Sequence, residues 1–251
     1  MQRYFLEEPY GVGPYEVSGE AFHHMIRVMR MKSGDRVFLV FCDQTAIIAE
    51  ITEVAPESVA LKEVAKEQQE KELPIAVTIA SGYPKGDKLE WIVQKGTELG
   101  ATAFIGFPAQ ASVVKWDGKK LVKKEQRLAK IAQEAAEQSQ RQKTPAIQLL
   151  TSFKELLTVV ADYDWVLVAY EESAKAGEVA KLAQVLSQVR TGERVLAIFG
   201  PEGGIMPAEI KALTEARGQL CGLGPRILRT ETAPLYLLSA VSYQLELAKE
   251  N

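Results

Sequence analysis

The sequence predicts an α/β protein in two parts, a small β-barrel followed by a parallel sheet with helices on both faces. Strand-like runs separated by tight turns fill the first 65 residues, as in small barrels. A polar segment at 65–72 lacks apolar periodicity and precedes Pro74, which is typical of a linker or exposed turn. Beyond Pro74, strand-like and helical runs alternate, and that alternation favours a parallel sheet.

The first part is predicted to hold one helix and three strands. Ser18 is placed to cap a helix over 20–31. After it, runs of strand-forming residues alternate with turn residues. The predicted strands cover 36–41, 46–51 and 59–64, and the turns cover 33–35, 42–44 and 56–58.

The second part is predicted to alternate strands with helices. In the first of these helices, Leu89, Ile92, Val93, Gly96 and Leu99 fall on one face. The strands are expected at 75–80, 103–107, 165–170, 194–199 and 219–223. The helices are expected at 85–99, 119–140, 174–188, 207–216 and 234–248. A sheet buried on both faces explains the apolar strand runs.

Composition excludes several classes of protein. With 251 residues, 25% charged and 47% hydrophobic, the chain is neither disordered, nor a coiled coil, nor collagen-like. It has no membrane-spanning apolar run and no visible secretory signal, so we expect a cytoplasmic protein. The two cysteines, Cys42 and Cys221, have no CxxC partner, which argues against disulfides and a cysteine-rich zinc site.

Two basic islands stand out in a chain of net charge −3. Residues 111–145 hold nine Lys/Arg and four Asp/Glu, and residues 21–36 hold four basic residues and one acid. In the predicted helix 119–140, four basic residues fall within an arc of about 80° at 100° per residue: Lys120, Lys123, Arg127 and Lys130. Such a stripe suits contact with a phosphate backbone, although ordinary solvated faces remain the alternative.

The segment FGPEGGIMP at 199–207 lies where a strand ends and a helix begins. In open α/β sheets, ligands bind beyond the carboxyl ends of the strands. Three glycines let the backbone approach a ligand closely, and Glu202 adds one carboxylate. Neither GxGxxG nor GxxxxGK[ST] occurs, which weakens a pyrophosphate-binding interpretation. A purely structural glycine-rich turn is the alternative.

A second polar loop, LGPRILRTETA at 223–233, also follows a strand and precedes a helix. Two arginines, a glutamate and two threonines are dense for a connection, and loops often carry function. Thr232 has an alternative structural task as the cap of the last helix, just before Pro234. Arg229 and Glu231 have the alternative of pairing with each other.

Two other features have less specific interpretations. The adjacent His23 and His24 point about 100° apart on a helix and make a poor metal pair, so no metal is expected. The last predicted helix is apolar on nearly every face and must be buried on most sides. A central helix or a homodimer interface would achieve this, and we favour the interface.

Five ordered motifs give the sequence a specific resemblance. The first two are the loop motifs already described, GPEGG and LGPRILRTETA. The other three are HHMIRVMR at 23–30, PKGDK with KGTELG at 84–100, and EAAEQS with Arg141. Together they resemble the RsmE family, the 16S ribosomal RNA uracil-N3 methyltransferases of the SPOUT superfamily. The resemblance covers nearly the whole chain.

The resemblance implies a PUA-like RNA-binding barrel over 1–72 and a SPOUT domain with a trefoil knot over 73–251. It also implies that S-adenosylmethionine binds in the knot and leaves as S-adenosylhomocysteine, without a metal. A homodimer with the site at the subunit interface is expected. The implied substrate is the uridine conventionally numbered 1498 of 16S rRNA within the small ribosomal subunit.

Residue roles follow from this resemblance and from the placement of the loops. Arg229, with Arg226 second, is expected to stabilise the uracil imide anion, and Glu202 or Glu231 to accept the N3 proton. Cofactor contacts are expected from Phe199, Gly200, Pro201, Glu202, Gly203, Gly204, Leu223, Gly224, Ile227, Leu228, Arg229, Thr232 and Ala233. RNA contacts are expected from His24, Arg27, Arg30, Lys32, Lys85, Lys115, Lys120, Lys123, Arg127, Lys130 and Arg141.

The sequence departs from the family pattern at two positions. Ala111 stands before Ser-Val-Val where the family commonly has arginine, so Lys115 would have to substitute if that arginine touches RNA. Met206 stands where serine or threonine is frequent, so the helix after the glycine loop is expected to lack a side-chain cap.

Three rival functions remain open on the sequence. A non-catalytic RNA-binding assembly factor would use the barrel and the basic islands but leave two polar loops without a task. A knotted methyltransferase for another rRNA site or for a ribose 2′-OH would share the fold and the cofactor. A nicotinamide dehydrogenase is weakened by the missing glycine fingerprint.

Overall fold

The computed structural model describes residues 1–171 and 181–248. The chain divides into two compact units. The first unit contains residues 1–71 and also 136–143, whereas the second begins at 72 and contains the rest. The short segment 136–143 was assigned to the second part by sequence. It lies with the first unit, where Gln142 donates to Glu67 at 3.4 Å and Gln140 accepts from Arg3 at 3.4 Å.

A five-stranded sheet forms the first unit. Its strand order is β1-β3-β4-β5-β2, with β1 parallel to β3 and the other pairs antiparallel. Alternate residues of the central strands point into one core, including Val37, Leu39, Ile47 and Leu61. The strands are β1 (Arg3–Phe5), β2 (Tyr15–Ser18), β3 (Arg36–Val40), β4 (Ala46–Val54) and β5 (Ser58–Lys66). The short strands β1 and β2 were not predicted.

The predicted helix over 20–31 is shorter in the structure. Helix α1 (Gly19–His23) continues only as a π-helical turn at His24–Val28. Arg30 then adopts a left-handed backbone with φ of 55°, which a helix cannot continue through. Ser18 occupies the N-cap position, but its side chain makes no capping hydrogen bond, so that part of the prediction is wrong.

The predicted linker at 65–72 is wrong at its beginning. Strand β5 runs to Lys66, and the carboxylate of the next residue, Glu67, is buried against Arg3. Arg3 Nη2 donates to both carboxylate oxygens of Glu67, at 2.7 and 2.8 Å. The partner lies far away in the sequence, so a local polar pattern could not reveal the pair.

The second unit is built on a six-stranded, all-parallel sheet, as predicted. The strand order is β11-β9-β10-β6-β7-β8, which puts β10 and β6 side by side at the centre. The strands are β6 (Ala76–Gly82), β7 (Ala103–Phe107), β8 (Ala146–Leu149), β9 (Trp165–Ala169), β10 (Arg194–Phe199) and β11 (Gln219–Cys221). Sequence patterns missed β8, a four-residue strand.

Six described helices accompany this sheet. They are α2 (Lys88–Glu98), α3 (Gly118–Gln138), α4 (Phe153–Val159), α5 (Lys181–Gln188), α6 (Pro207–Glu215) and α7 (Thr232–Ser242). A 3₁₀ turn at Val160–Asp162 follows α4, and a π-helical turn at Tyr243–Leu247 follows α7. Helix α4 was not predicted, and the predicted start of α5, at 174–180, lies outside the described residues.

Both faces of the parallel sheet are covered, which confirms the prediction. Val77, Ile79 and Val195 point to one face, where helices α2, α3, α5 and α7 contribute the other buried side chains. Ala80, Leu196 and Ile198 alternate to the opposite face, where α4 and α6 pack. No helix within the described ranges is long and apolar enough to cross a membrane.

Candidate active site

The carboxyl ends of the parallel strands bring three loops to one edge of the sheet. β6 ends at Gly82, its neighbour β10 at Phe199, and the outer strand β11 at Cys221. The segments that follow are 83–87, 200–206 and 222–231. Because the strands are parallel, both loops singled out by sequence emerge at this edge, where α/β proteins bind ligands.

The glycine-rich loop after β10 is a tight turn that excludes side chains at defined points. A Cβ on Gly200 would lie 2.7 Å from the carbonyl carbon of Gly204 and 2.9 Å from the nitrogen of Ile205. The Gly204 N–H donates to the Pro201 carbonyl at 2.8 Å, and Gly204 has a φ of +75°. Phe199 and Pro201 are buried, so the loop offers a ligand mainly its backbone.

Glu202 connects this loop to the segment after β6. Its Oε1 accepts hydrogen bonds from Lys88 Nζ at 2.9 Å and from the backbone N–H of Lys85 at 3.1 Å. Burial opposes ionisation, but the Lys88 and backbone hydrogen bonds outweigh it and hold the pKa of Glu202 below its ordinary value. The hydrogen bond to Glu202 raises the pKa of Lys88 in turn.

Glu231 connects the same lysine to the start of the last helix. Its Oε2 lies 3.5 Å from Lys88 Nζ, and its side chain is 20% exposed. That oxygen is buried and accepts no hydrogen bond from any residue that the structure describes. The ion pair recorded for Glu231 is with Lys88, so the alternative pairing with Arg229 is not what the structure shows.

The predicted cap of the last helix is wrong. Glu231 occupies the N-cap position, and Thr232 is the first residue of α7. The carbonyl of Arg229 accepts the N–H groups of Thr232 and Ala233 at 2.9 and 3.0 Å, so backbone turns begin the helix. Thr232 is therefore free of the structural task that competed with a ligand role.

The loop at 222–231 presents its arginines to solvent. Arg226 and Arg229 are exposed, and Ile227 is 74% exposed. Leu223, Gly224 and Leu228 are half-buried, and Gly224 has a φ of +88°, which favours glycine. Arg226 and Arg229, the predicted anion-stabilising residues, therefore follow a strand that ends at the same edge of the sheet as the ion pairs of Lys88 with Glu202 and Glu231.

Sequence analysis missed Glu209, which connects the start of α6 to the segment after β7. This buried carboxylate accepts the N–H of Met206 at 3.0 Å and the N–H of Gln110 at 2.9 Å. Glutamate at the third position of a helix is a capping signal, and it compensates for the missing side-chain cap at Met206. Ala111 sits close enough that a Cβ on Gly203 would lie 2.9 Å from its Cβ.

Most of the predicted RNA contacts in the second unit are on its surface. Lys85, Lys115, Lys120, Lys123 and Lys130 are all exposed. Arg127 is exposed too, but its guanidinium donates to Glu90 at 2.7 Å, so a phosphate would have to compete with that carboxylate.

In the first unit, the predicted RNA contacts divide into two groups. Arg27, Arg30 and Lys32 are exposed and available. His24 is half-buried, with Nδ1 2.9 Å from the hydroxyl of Tyr4. Arg141 is only 2% exposed, so the expectation that it meets a phosphate is wrong for this conformation. The sequence motif around Arg141 could not distinguish a buried guanidinium from a surface one.

Two family models match the sequence. One, described as an RNA methyltransferase domain, matches residues 71–242, and the other, an RNA methyltransferase PUA domain, matches residues 17–64. The Ribosomal RNA small subunit methyltransferase E of Bacillus subtilis is 50% identical over 253 residues, covering 99% of each chain. The protein of that name from Synechocystis is 33% identical over 225 residues, covering 89% of this chain and 71% of the relative.

A solved structure agrees with these matches. The Ribosomal RNA small subunit methyltransferase E from Neisseria gonorrhoeae, bound to S-adenosyl methionine, is similar with a TM-score of 0.82 and 25% identity. The match covers 96% of this chain and 97% of that one. The fold and the site together define an RNA methyltransferase with an N-terminal PUA-like domain.

The chain belongs to the ribosomal RNA small subunit methyltransferase E family. The resemblance drawn from the five sequence motifs is thereby confirmed, as is the predicted fold class of a PUA-like domain followed by an α/β methyltransferase domain.

Proposed function

We propose that this protein transfers the methyl group of S-adenosylmethionine to N3 of a uracil in 16S rRNA, releasing S-adenosylhomocysteine. The target is the uridine conventionally numbered 1498, methylated within the cytoplasmic small ribosomal subunit. The observation that carries the proposal is the joining of three strand-end loops through Lys88, Glu202 and Glu231. The names of the relatives and the cofactor in the Neisseria structure support it.

The residues at the edge of the sheet fit S-adenosylmethionine. A glycine turn that leaves no room for a Cβ at Gly200 suits a ligand held by peptide groups. Peptide N–H and C=O groups complement the neutral edge of adenine, and the buried Oε2 of Glu231 is an acceptor for a ligand hydroxyl or amine. We expect the trefoil knot of the family to be formed by the loops at 200–206 and 222–231.

Bound S-adenosylmethionine supplies an electrophilic methyl group on a sulfonium. The protein must orient uracil N3 toward it, and positioning provides much of the rate. N3 is a poor nucleophile until its proton leaves, and the resulting charge spreads onto O2 and O4. Arg229, with Arg226 second, is exposed beside the site and suited to that charge. Arginine cannot accept the proton, so that task falls to Glu202 or Glu231.

A homodimer would complete the site. Tyr236, Tyr243 and Leu247 leave apolar surface on α7 and the turn after it, with Tyr243 62% and Leu247 74% exposed. The Tyr236 hydroxyl lies 3.7 Å from a Cβ built on Gly224, so this surface adjoins the loop at 222–231. An apolar patch beside a ligand loop is typical of an interface, and a second copy of the chain is the occupant that we propose.

Phosphates of the RNA are expected to meet exposed basic side chains in both units. Lys115, Lys120 and Lys123 would serve in the second unit, and Arg27, Arg30 and Lys32 in the first.

The deciding experiment identifies the methylated nucleoside. Small subunits from a strain lacking this gene are incubated with the purified protein and labelled S-adenosylmethionine, and the digested RNA is analysed by mass spectrometry. We expect N3-methyluridine from 16S rRNA. A 2′-O-methyl nucleoside would overturn the chemistry, and absence of label in subunits, free rRNA and transfer RNA would favour a binding protein.

A further inference from the structure

One ammonium group, that of Lys88, joins the loop after β10 to Glu231, the N-cap residue of α7. Lys88, the first residue of α2, contacts Glu202 at 2.9 Å and Glu231 at 3.5 Å. The three side chains are 33%, 30% and 20% exposed, respectively. Since the contacts span separate loops, Lys88 sets how far apart those loops lie.

The two glutamates are held in different ways. Glu202 Oε1 accepts two hydrogen bonds, from Lys88 Nζ and from the backbone N–H of Lys85. Glu231 Oε2 is close enough to Lys88 for charge attraction, yet it is buried and accepts no hydrogen bond among the described residues. A buried carboxylate oxygen without a donor is costly unless a ligand supplies one.

Hydrogen bonding therefore distinguishes Glu202 from Glu231 as proton acceptors. Protonation of Glu202 would weaken the two hydrogen bonds that its Oε1 accepts, because a neutral carboxyl group is a poorer acceptor than a carboxylate, and it would therefore loosen the glycine loop from Lys85 and Lys88. Glu231 Oε2 lies 3.5 Å from the same ammonium, accepts no hydrogen bond among the described residues, and is open to a new donor. Of the two, Glu231 is the better placed to receive a proton.

We propose that Lys88 is a positioning residue that makes Glu202 the anchor of the glycine loop and leaves Glu231 as the acceptor of the uracil N3 proton. This inference rests on the proposed function. The proton moves from N3 to Glu231 Oε2, and the electron pair of the N–H bond remains on the uracil as the charge that Arg229 faces. Glu231 then returns the proton to water.

The test separates binding from chemistry in full-length protein. Calorimetry gives the dissociation constant for S-adenosylmethionine, and single-turnover transfer to unmethylated small subunits, at saturating S-adenosylmethionine, gives the rate. The variants are Glu231→Gln, Glu202→Gln, Lys88→Met and Lys88→Arg. Lys95→Met is the matched control, because Lys95 lies on the same helix and pairs with Glu98 at 2.8 Å with the same exposed fractions as the Lys88–Glu202 pair.

The two glutamine variants are expected to differ in kind. Glu231→Gln should lower the rate about 100-fold, the typical effect of a lost proton acceptor, with affinity within about 3-fold. Glu202→Gln should weaken affinity about 10-fold through the lost charged hydrogen bonds, with the saturated rate within about 3-fold. Lys88→Met should show both losses, Lys88→Arg should recover most of each, and Lys95→Met should match wild type.

The inference would be overturned if Glu202→Gln lost the transfer rate and Glu231→Gln lost affinity for S-adenosylmethionine. It would also be overturned if Lys88→Met behaved like Lys95→Met. If Lys88→Met fails to fold, the rates and affinities of Lys88→Arg and of the two glutamine variants still test the inference. Wild-type protein that binds no S-adenosylmethionine would overturn the proposed function and this inference with it. Wild-type binding and transfer with unaltered variants would overturn the inference alone.

Discussion

Arg3 and Glu67, at opposite ends of the first unit's main segment, form a buried ion pair in which Arg3 Nη2 donates to both oxygens of Glu67. The two side chains are 0% and 8% exposed, and Arg3 also lies 4.6 Å from the centre of the Phe38 ring. The pair connects the first strand of the unit to the end of its last. Arg3 Nη1 is buried and has no hydrogen-bond partner among the described residues, so losing the bonds of Nη2 to Glu67 would cost more folding free energy.

Substituting Glu67 should therefore destabilise the first unit strongly. Glu67→Gln leaves a buried guanidinium without a countercharge, and we expect the free energy of unfolding to fall by about 3 kcal/mol or more. Chemical denaturation followed by circular dichroism measures this. Glu57→Gln, at an exposed carboxylate of the same unit, should change it by less than about 0.5 kcal/mol, and equal effects of the two variants would refute the prediction.

The turn at Gly200 should tolerate no side chain. A methyl group there would lie within 3 Å of the backbone at Gly204 and Ile205, so Gly200→Ala must move the loop. Overpacking of this kind costs about 1–3 kcal/mol, and we expect affinity for S-adenosylmethionine to weaken at least about 5-fold. Gly118→Ala is the control, because no atom lies within 4 Å of its added Cβ. Unchanged binding by Gly200→Ala in calorimetry would contradict the assignment of the loop.

Glu209 should matter through the two N–H groups that it accepts. Glu209→Ala removes both hydrogen bonds, to Met206 and Gln110, and should lower the free energy of unfolding by about 1–3 kcal/mol. Glu209→Gln keeps one acceptor oxygen and should lose less. Thermal unfolding of the two variants tests this order, and equal losses would show that the charge of Glu209, rather than the hydrogen bonds that its oxygens accept, stabilises the two loops.

The contribution of Glu202 should disappear in acid. Its folded-state pKa is below the ordinary value of 4.5, so its stabilising contribution is complete above that value and is lost as the pH falls through the lowered pKa. The difference in melting temperature between wild type and Glu202→Gln should be constant between about pH 6 and 8. It should shrink below the ordinary value of 4.5. A difference that persisted unchanged in acid would exclude the ionised carboxylate as its source.

The proposed homodimer should depend on the apolar surface after α7. Leu247→Glu places a charge on a residue that is 74% exposed in one chain, and we expect it to convert a dimer to a monomer. Light scattering after size-exclusion chromatography measures the mass. Lys154→Glu, on α4 at the other face of the sheet, should stay dimeric. A monomeric wild type, or a dimeric Leu247→Glu, would place the interface elsewhere or remove it.

Sequence patterns predicted the parallel sheet and the two polar loops at its carboxyl edge because these features are local. β6 and β10 are mostly apolar runs whose residues are buried on both faces, and the glycine loop directly follows β10. The partnership of Lys88 and Glu202 joins residues 114 positions apart, and only the folded chain brings them together.

The errors have related physical causes. Ser18 and Thr232 were assigned capping roles from residue type, but Ser18 makes no capping hydrogen bond, and backbone turns to the Arg229 carbonyl begin the last helix. Strands β1, β2 and β8 are three or four residues long, and their stability comes from pairing with longer neighbours. Arg141 belonged to a basic island by counting, whereas burial is decided by tertiary packing.

The return of residues 136–143 to the first unit has a consequence for how such a protein can be dissected or recombined. A fragment ending at the apparent linker would lack eight residues of its own unit, among them Gln140 and Gln142, which reach the Arg3–Glu67 pair. A gene fusion or domain swap that cut the chain once, near residue 72, would therefore leave the first product incomplete and the second carrying a segment that belongs to the other unit. A transplantable PUA-like module of this protein needs three cuts, after residues 71, 135 and 143, and a joining peptide to carry its second segment.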